Sequence, residues 1–313
     1  MDLFPAIPLS EWRDSKETLH RFTQIVGKIR LASSVRRNHW WNVPFHVTGR
    51  GVTTRPMGGI DGNPVFTMDF DFVDHQLNVS CLDGSTASFP LAGQSVSSFY
   101  REVLTALDRV GVAVTVAHPR PYGLPGTQRP FAEDTEHVSY DPFWVNRHWR
   151  VLSQVGLVLE EFASGFSGKI SPVHLFWHSY DIAVTRYSDR FVELGASVDP
   201  VTREAYSREV ISSGFWFGDD ASPRPAFYAY AAPEPDGLTR HPLRPAAARW
   251  VERGVSRLAT LDYDEVRGSA NPRETVLDFY ESLYRTAAGL AGWDIERQAC
   301  PGGITDPLAR EQA

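Results

Sequence analysis

The chain has 313 residues, 42% hydrophobic side chains and a formal net charge of −7. That length and apolar content allow a full core in one large domain or two smaller ones and exclude general disorder. An acidic balance without a basic block argues against a nucleic-acid backbone or an anionic membrane surface as partner, since both call for clustered cations.

No run of 18 apolar residues occurs, and Met1 to Trp12 is broken by Pro5 and Pro8, so neither a signal peptide nor a membrane span is expected and the protein reads as soluble and cytoplasmic. Cys81 and Cys300 are far apart, which leaves no disulfide framework and no thiolate zinc site. Of the 31 basic residues only Lys16, Lys28 and Lys169 are lysines. Against an arginine background each lysine is informative, because an ammonium differs from a guanidinium in geometry and in how readily its pKa falls.

The first predicted helix starts at Asp14, with Glu17 three residues on, carries Leu19, Phe22, Val26 and Ile29 on one face, and ends near Gly27-Lys28. Strands are predicted at 40–47, 65–73, 77–82 and 87–91, with Asp83-Gly84 as a hairpin turn between the last two. A second helix spans 95–109 and a short strand 112–116. Residues 119–140, rich in proline, read as a long connection. Asp141-Pro142 heads a long helix with Val145, Trp149, Leu152, Leu159 and Phe162 on its buried stripe. Strands follow at 173–185, 226–230 and 257–261, and a closing helix begins at Asn271-Pro272, while 201–218 is unassigned.

Two motifs repeat in order: Gly27-Lys28-Ile29 with Gly168-Lys169-Ile170, and Ser98-Phe99-Tyr100 with Asp278-Phe279-Tyr280. They suggest an α+β protein of two related halves, each helix, antiparallel strands, helix, packed about a pseudo-two-fold. The halves would be an N-terminal 1–118 and a C-terminal 141–299, joined by 119–140 and followed by a tail at 300–313.

The runs His39-Trp40-Trp41, Phe70 to His75, Ser139 to Pro142, Gly168 to His174, Ala183 to Arg186 and Gly214 to Trp216 together resemble a bacterial family known as domain of unknown function family 5996. The resemblance covers nearly the whole chain and implies no activity, substrate or cofactor. The chain departs from the family pattern at Asn42 and Arg208, where histidine is common, and at His178, where glycine is common.

Candidate chemistry concentrates in 171–190, read as one strand with His174, Phe176, His178 and Tyr180 on one face and Trp177 and Asp181 on the other. Four residues apart in a strand, His174 and His178 stand roughly 13 Å from each other and cannot share a metal. A divalent metal gathered from His39, His137, His174, Asp181 and Glu209 remains open. Asp69 and Asp71 read as a solvated strand face rather than an acid–base pair. Lys28 and Lys169, each placed where a helix ends, are either helix C-terminal cations or a paired site for an acidic group. No glycine-rich phosphate loop and no nucleophile elbow occurs.

Two functional expectations stand. One is an enzyme or enzyme-like protein acting on a small acidic organic molecule in a cleft between the halves. His39, His174, Asp181 and Glu209 would then supply proton transfer or metal ligands, Lys28, Lys169 and Arg186 would orient the acid, and Trp41, Trp177 and Trp216 would form walls. The alternative is a protein that binds a small molecule or a partner without chemistry.

Overall fold

The computed structural model describes residues 3–59, 62–253 and 256–310. It is an α+β protein that divides into two compact units. One comprises Ile7–Ser153 with Leu175–Tyr180, and the other Met1–Ala6, Gln154–His174 and Asp181–Ala313. Among the described residues there are eight α-helices and two antiparallel sheets of six strands, and no helix is long and apolar enough to cross a membrane.

The first unit opens with α1 (Arg13–Ser33). Trp12, not Asp14, occupies its N-cap, and the helix runs past Gly27-Lys28 to Ser33. Gly27 is therefore a mid-helix glycine. It is there because Trp177 lies flat against the backbone, and a Cβ would stand 2.4 Å from the indole.

The sheet of this unit contains β1 (His46–Val47), β2 (Gly51–Thr53), β3 (Met57–Gly58), β4 (Val65–Asp71), β5 (Gln76–Cys81) and β6 (Thr86–Pro90), ordered β1-β2-β4-β5-β6 with β3 also pairing β4. The last three were predicted, and alternation explains them: Phe66, Met68, Phe70, Leu77, Val79, Ala87 and Phe89 point inward. The expected strand over 40–47 shrinks to β1, because residues 38–40 form a tight turn with His39 at φ 54° and Trp40 at φ 60°. No strand forms over 112–116. Asp71 is not solvated: it is buried, accepts from Arg50 Nε at 2.6 Å, and takes the backbone N–H groups of Val73 and Asp74.

Packed on this sheet is α2 (Val96–Arg109), capped by Ser95, whose Oγ accepts from Ser98 N at 3.1 Å. Phe22 of α1 stacks on Phe99 of α2 with centroids 3.9 Å apart, and Phe70 and Phe89 complete the cluster. Each such ring pair contributes about 0.5–1.5 kcal/mol beyond its buried area. Next comes α3 (Pro142–Ser164), whose first turn is closed by Asp141 Oδ1 accepting from Phe143 N. The division between the units falls within α3.

After α3 come β7 (His174–Phe176), within which the division between the units also falls, and, in the second unit, β8 (Asp181–Phe191), α4 (Pro200–Ala205), β9 (Arg208–Trp216), β10 (Ala226–Ala232), β11 (Arg249–Arg253), β12 (Ser256–Asp262), α5 (Tyr263–Arg267), α6 (Pro272–Leu290), α7 (Ile295–Gln298) and α8 (Pro307–Arg310), with sheet order β11-β12-β10-β9-β8-β7. Asn271 and Pro272 start α6 as the sequence suggests, Asn271 Oδ1 taking Glu274 N. The single strand expected over 173–185 is instead two strands joined by a turn in which Tyr180 adopts φ 59°. Face parity from His174 to Asp181 is lost there.

Neither Lys28 nor Lys169 ends a helix. Lys28 lies inside α1, and Lys169 follows α3 in a connection where Ile170 bridges Arg186. The two Gly-Lys-Ile motifs thus occupy different elements, whereas the two Phe-Tyr motifs both sit on helices, α2 and α6.

Gly27 gives a direct test of packing over propensity. In an exposed helix Gly→Ala would stabilise by about 1 kcal/mol. Here Gly27→Ala is expected to cost about 1–3 kcal/mol in urea unfolding, the range for overpacking. A stabilised variant would show that Trp177 does not pack on this turn.

Candidate functional site

The polar face of α1 is buried along with its apolar face, which obliges each polar group to find a partner. Most do. Gln24 brackets Tyr122, its Nε2 donating to the carbonyl at 2.9 Å and its Oε1 accepting the N–H at 2.8 Å. Arg21 donates to the Pro125 carbonyl and stands 3.6 Å from Asp134, which also bonds His137 Nδ1 at 2.8 Å. Ser15 Oγ accepts from Asp141 N at 2.9 Å. These bonds fasten the proline-rich 119–140 segment and the head of α3 to α1.

The remaining groups form a cluster. His20 is 4% exposed, and its Nε2 lies 2.9 Å from the Trp177 carbonyl. A carbonyl only accepts, so Nε2 carries the proton and Nδ1 keeps its lone pair. The imidazole stacks on Tyr180 at 4.7 Å, and His148 of α3, fully buried, stacks on the same ring at 5.3 Å with planes 3° apart. Trp12 tilts against His148 at 5.3 Å. Lys16, one turn before His20, is 4% exposed, and its Nζ stands 3.8 Å from Glu17 Oε1.

Burial first, and the Lys16 ammonium second, push His20 down to about 3, against an accepting contribution from the Trp177 carbonyl. The same two causes, in the same order, take His148 to about 3. Burial, then Tyr140, raises the Tyr180 hydroxyl well above its ordinary value. Burial, then Asp71, raises Tyr140. At neutral pH both imidazoles are therefore uncharged bases and both phenols are intact donors. Tyr180, 1% exposed, has no hydrogen-bond partner on its hydroxyl among the described residues. The cluster reaches half-buried ground at Tyr140 and His75, which share a 3.0 Å hydrogen bond. Holding Tyr180 in the left-handed region costs on the order of 1–3 kcal/mol, and such strain gathers at functional sites.

The residues singled out by sequence lie elsewhere. In the first unit, His39 is buried in the strained turn beside Trp41, Lys28 is half-buried with burial and Arg120 lowering its pKa, and Trp177 donates to the Val43 carbonyl at 3.1 Å. In the second unit, His174 is buried at the start of β7. Asp181 is buried and receives the Tyr228 hydroxyl. Trp216 ends β9 opposite Asp181. Arg186 is packed over Phe162 at 3.8 Å and Tyr284 at 4.1 Å and donates to the Phe162 carbonyl, and burial lowers it to about 10. Lys169 Nζ lies 5.1 Å from the Tyr187 ring, its pKa lowered by burial and then Arg208.

Glu209 accepts from Arg190 at 2.6 Å and from Ser188 and Trp293 at 2.9 Å each. Burial works to raise it, but those bonds outweigh burial and leave it below the usual carboxylate range. It lines a cleft of about 270 Å³, while Ser188, Arg190 and Trp293 line another of about 430 Å³ with Arg297 and Gln298. Among the described residues no group of three or more His, Cys, Asp or Glu side chains is placed to share a metal ion.

The chain belongs to the family of unknown function DUF5996, whose model matches residues 4–300. No curated protein and no solved structure matches it.

The buried imidazoles make stability depend on pH with a definite sign. Above about pH 6.5 they are neutral both folded and unfolded, so neither contributes a slope. As pH falls, the unfolded chain takes up protons that the folded one refuses until about 3, and stability drops by about 1.4 kcal/mol per pH unit for each ring. His148→Phe keeps a ring in place and is expected to flatten the urea-unfolding slope between pH 6 and 4 by that amount. An unchanged slope would mean that His148 is already protonated in the folded protein.

Proposed function

We propose that this member of a family without an assigned activity is an enzyme that moves a proton on a small acidic organic molecule bound beside Tyr180 in the first unit. The observation that carries the reading is the Tyr180 hydroxyl, deeply buried without a hydrogen-bond partner among the described residues and stacked against two histidines held neutral by burial and Lys16. An unpaired buried hydroxyl costs about 1–3 kcal/mol, and a ligand oxygen would offset that. In this reading Lys16 attracts the carboxylate, Tyr180 donates to the oxygen on which charge develops, and His20 Nδ1 or His148 takes the proton.

Binding without chemistry is the second reading, and the second unit supplies the observation that favours it. There Glu209, already satisfied by three donors, backs open clefts as a structural carboxylate rather than a base.

The test is thermal unfolding at pH 7.5 and fixed ionic strength against small mono- and dicarboxylic acids. At a hundredfold excess over Kd, about 2.7 kcal/mol of stabilisation should appear as several degrees in Tm, and Lys16→Met should abolish it. In D2O the bound acid should exchange a carbon-bound proton for deuterium, and Tyr180→Phe should slow that exchange while remaining folded. Failure of every acid to stabilise the protein, or equal stabilisation of Lys16→Met, would refute the site. Binding without exchange would leave the second reading.

A further inference from the structure

Near its other end α1 carries a buried cation with no ion-pair partner among the described residues. Arg30 is 5% exposed, its Nε donates to the Asn42 carbonyl at 2.7 Å, and its Nη1 has no hydrogen-bond partner among the described residues. No described carboxylate forms an ion pair with it, although a buried guanidinium left uncompensated is strongly unfavourable. A second guanidinium lies within electrostatic range. The β1–β2 ladder sets His46 opposite Thr53, and Arg55, two residues further along, is exposed at φ 61° with its N–H bonded to Thr53 Oγ1. Arg55 acts electrostatically on both Arg30 and His46, and Arg30 acts on His46.

We infer that Arg30, Arg55 and His46 form a binding site for a phosphate group, with Arg30 at its floor and Arg55 at its rim. Two guanidinium groups with no described carboxylate among them match a dianion better than a singly charged acid, and the Nη1 edge, without a described partner, is a donor suited to a phosphate oxygen. His46, pushed down to about 4 by burial first and then by Arg55 and Arg30, is neutral and adds no further charge at physiological pH.

The motif at 39–42 is the frame of this site. Asn42 Nδ2 donates to Ser34 Oγ at 2.9 Å and its Oδ1 accepts Arg37 N at 3.2 Å, which aims the Asn42 carbonyl at Arg30. Two consecutive residues at positive φ, His39 and Trp40, are the backbone cost of that arrangement. A plain helix C-terminal arginine would account for the bond to Asn42 but not for the orphaned Nη1. Arg30 lies ten residues beyond His20, about 15 Å along α1, so this site stands apart from the cluster at Tyr180 and does not depend on its proposed function.

The experiment is calorimetric titration of the full chain with inorganic phosphate, glycerol phosphate and acetate at constant ionic strength, which removes general screening as a cause. Saturable phosphate binding is expected, tighter than acetate. Arg55→Ala, at an exposed position, should weaken it at least tenfold with an unchanged Tm in phosphate-free buffer. Arg30→Met should abolish binding, and Arg109→Ala, on the exposed face of α2, should leave it as it was. Tighter glycerol phosphate would identify a phosphate ester as the ligand, and tighter free phosphate the inorganic ion. No saturable binding, acetate binding as tightly as phosphate, or an Arg55→Ala affinity within twofold of the parent would overturn the inference.

Discussion

The first unit depends on the burial of both faces of α1. A helix with Leu19, Phe22, Val26 and Ile29 on one side and Ser15, Lys16, His20, Arg21 and Gln24 on the other would ordinarily lie on a surface. Here the polar side is covered by the 119–140 segment, by the head of α3 and by residues 175–180, each fastened to it by side-chain bonds. Burying that many polar atoms is tolerable only where each is bonded, so the bonds sort structure from function. Gln24, Arg21 and Ser15 are satisfied and hold the chain in place. The Tyr180 hydroxyl and Arg30 Nη1 have no partner among the described residues, and beside each of them loss of water lowers the pKa of an imidazole.

Much of the architecture was legible where the code is local. Alternation identified β4, β5 and β6, Asp83-Gly84 marked their last turn, and Asp141-Pro142 and Asn271-Pro272 marked the starts of α3 and α6. The failures have identifiable physical sources. Gly27 looked like a helix stop because a glycine inside a helix is unfavourable alone, and only the Trp177 indole explains it. The 173–185 run looked like one strand because its residues favour extended backbone. Tyr180 nevertheless takes a left-handed conformation, with its N–H on the Phe176 carbonyl at 2.7 Å. Strands as short as β1 and β3 offer too few residues for a pattern.

The candidate site was legible only in part. The rarity of lysine marks Lys16, but only Lys28 and Lys169 share the repeated Gly-Lys-Ile motif that singles out a pair. His20 and His148 gave no signal of their own, since a histidine in an amphipathic helix reads as surface until something is shown to cover it. Tyr180 lies in the segment that the sequence marks as richest in candidate chemistry, but in a turn and not on the strand face expected for it. A usable clue existed: α1 carries Ser15, Thr18, His20, Thr23 and Gln24, short or neutral polar residues, where a solvated face would favour Glu, Lys and Arg.

The central claim is that water is excluded from His20 and His148 strongly enough to keep them neutral beside a buried ammonium. Imidazole chemical shifts followed by NMR from pH 8 to pH 4 read this directly and ring by ring. Both rings are predicted to hold the neutral shifts throughout that range in the folded protein, with His20 as the Nε2–H tautomer. A folded-state titration of either ring near 6.5 would contradict the account.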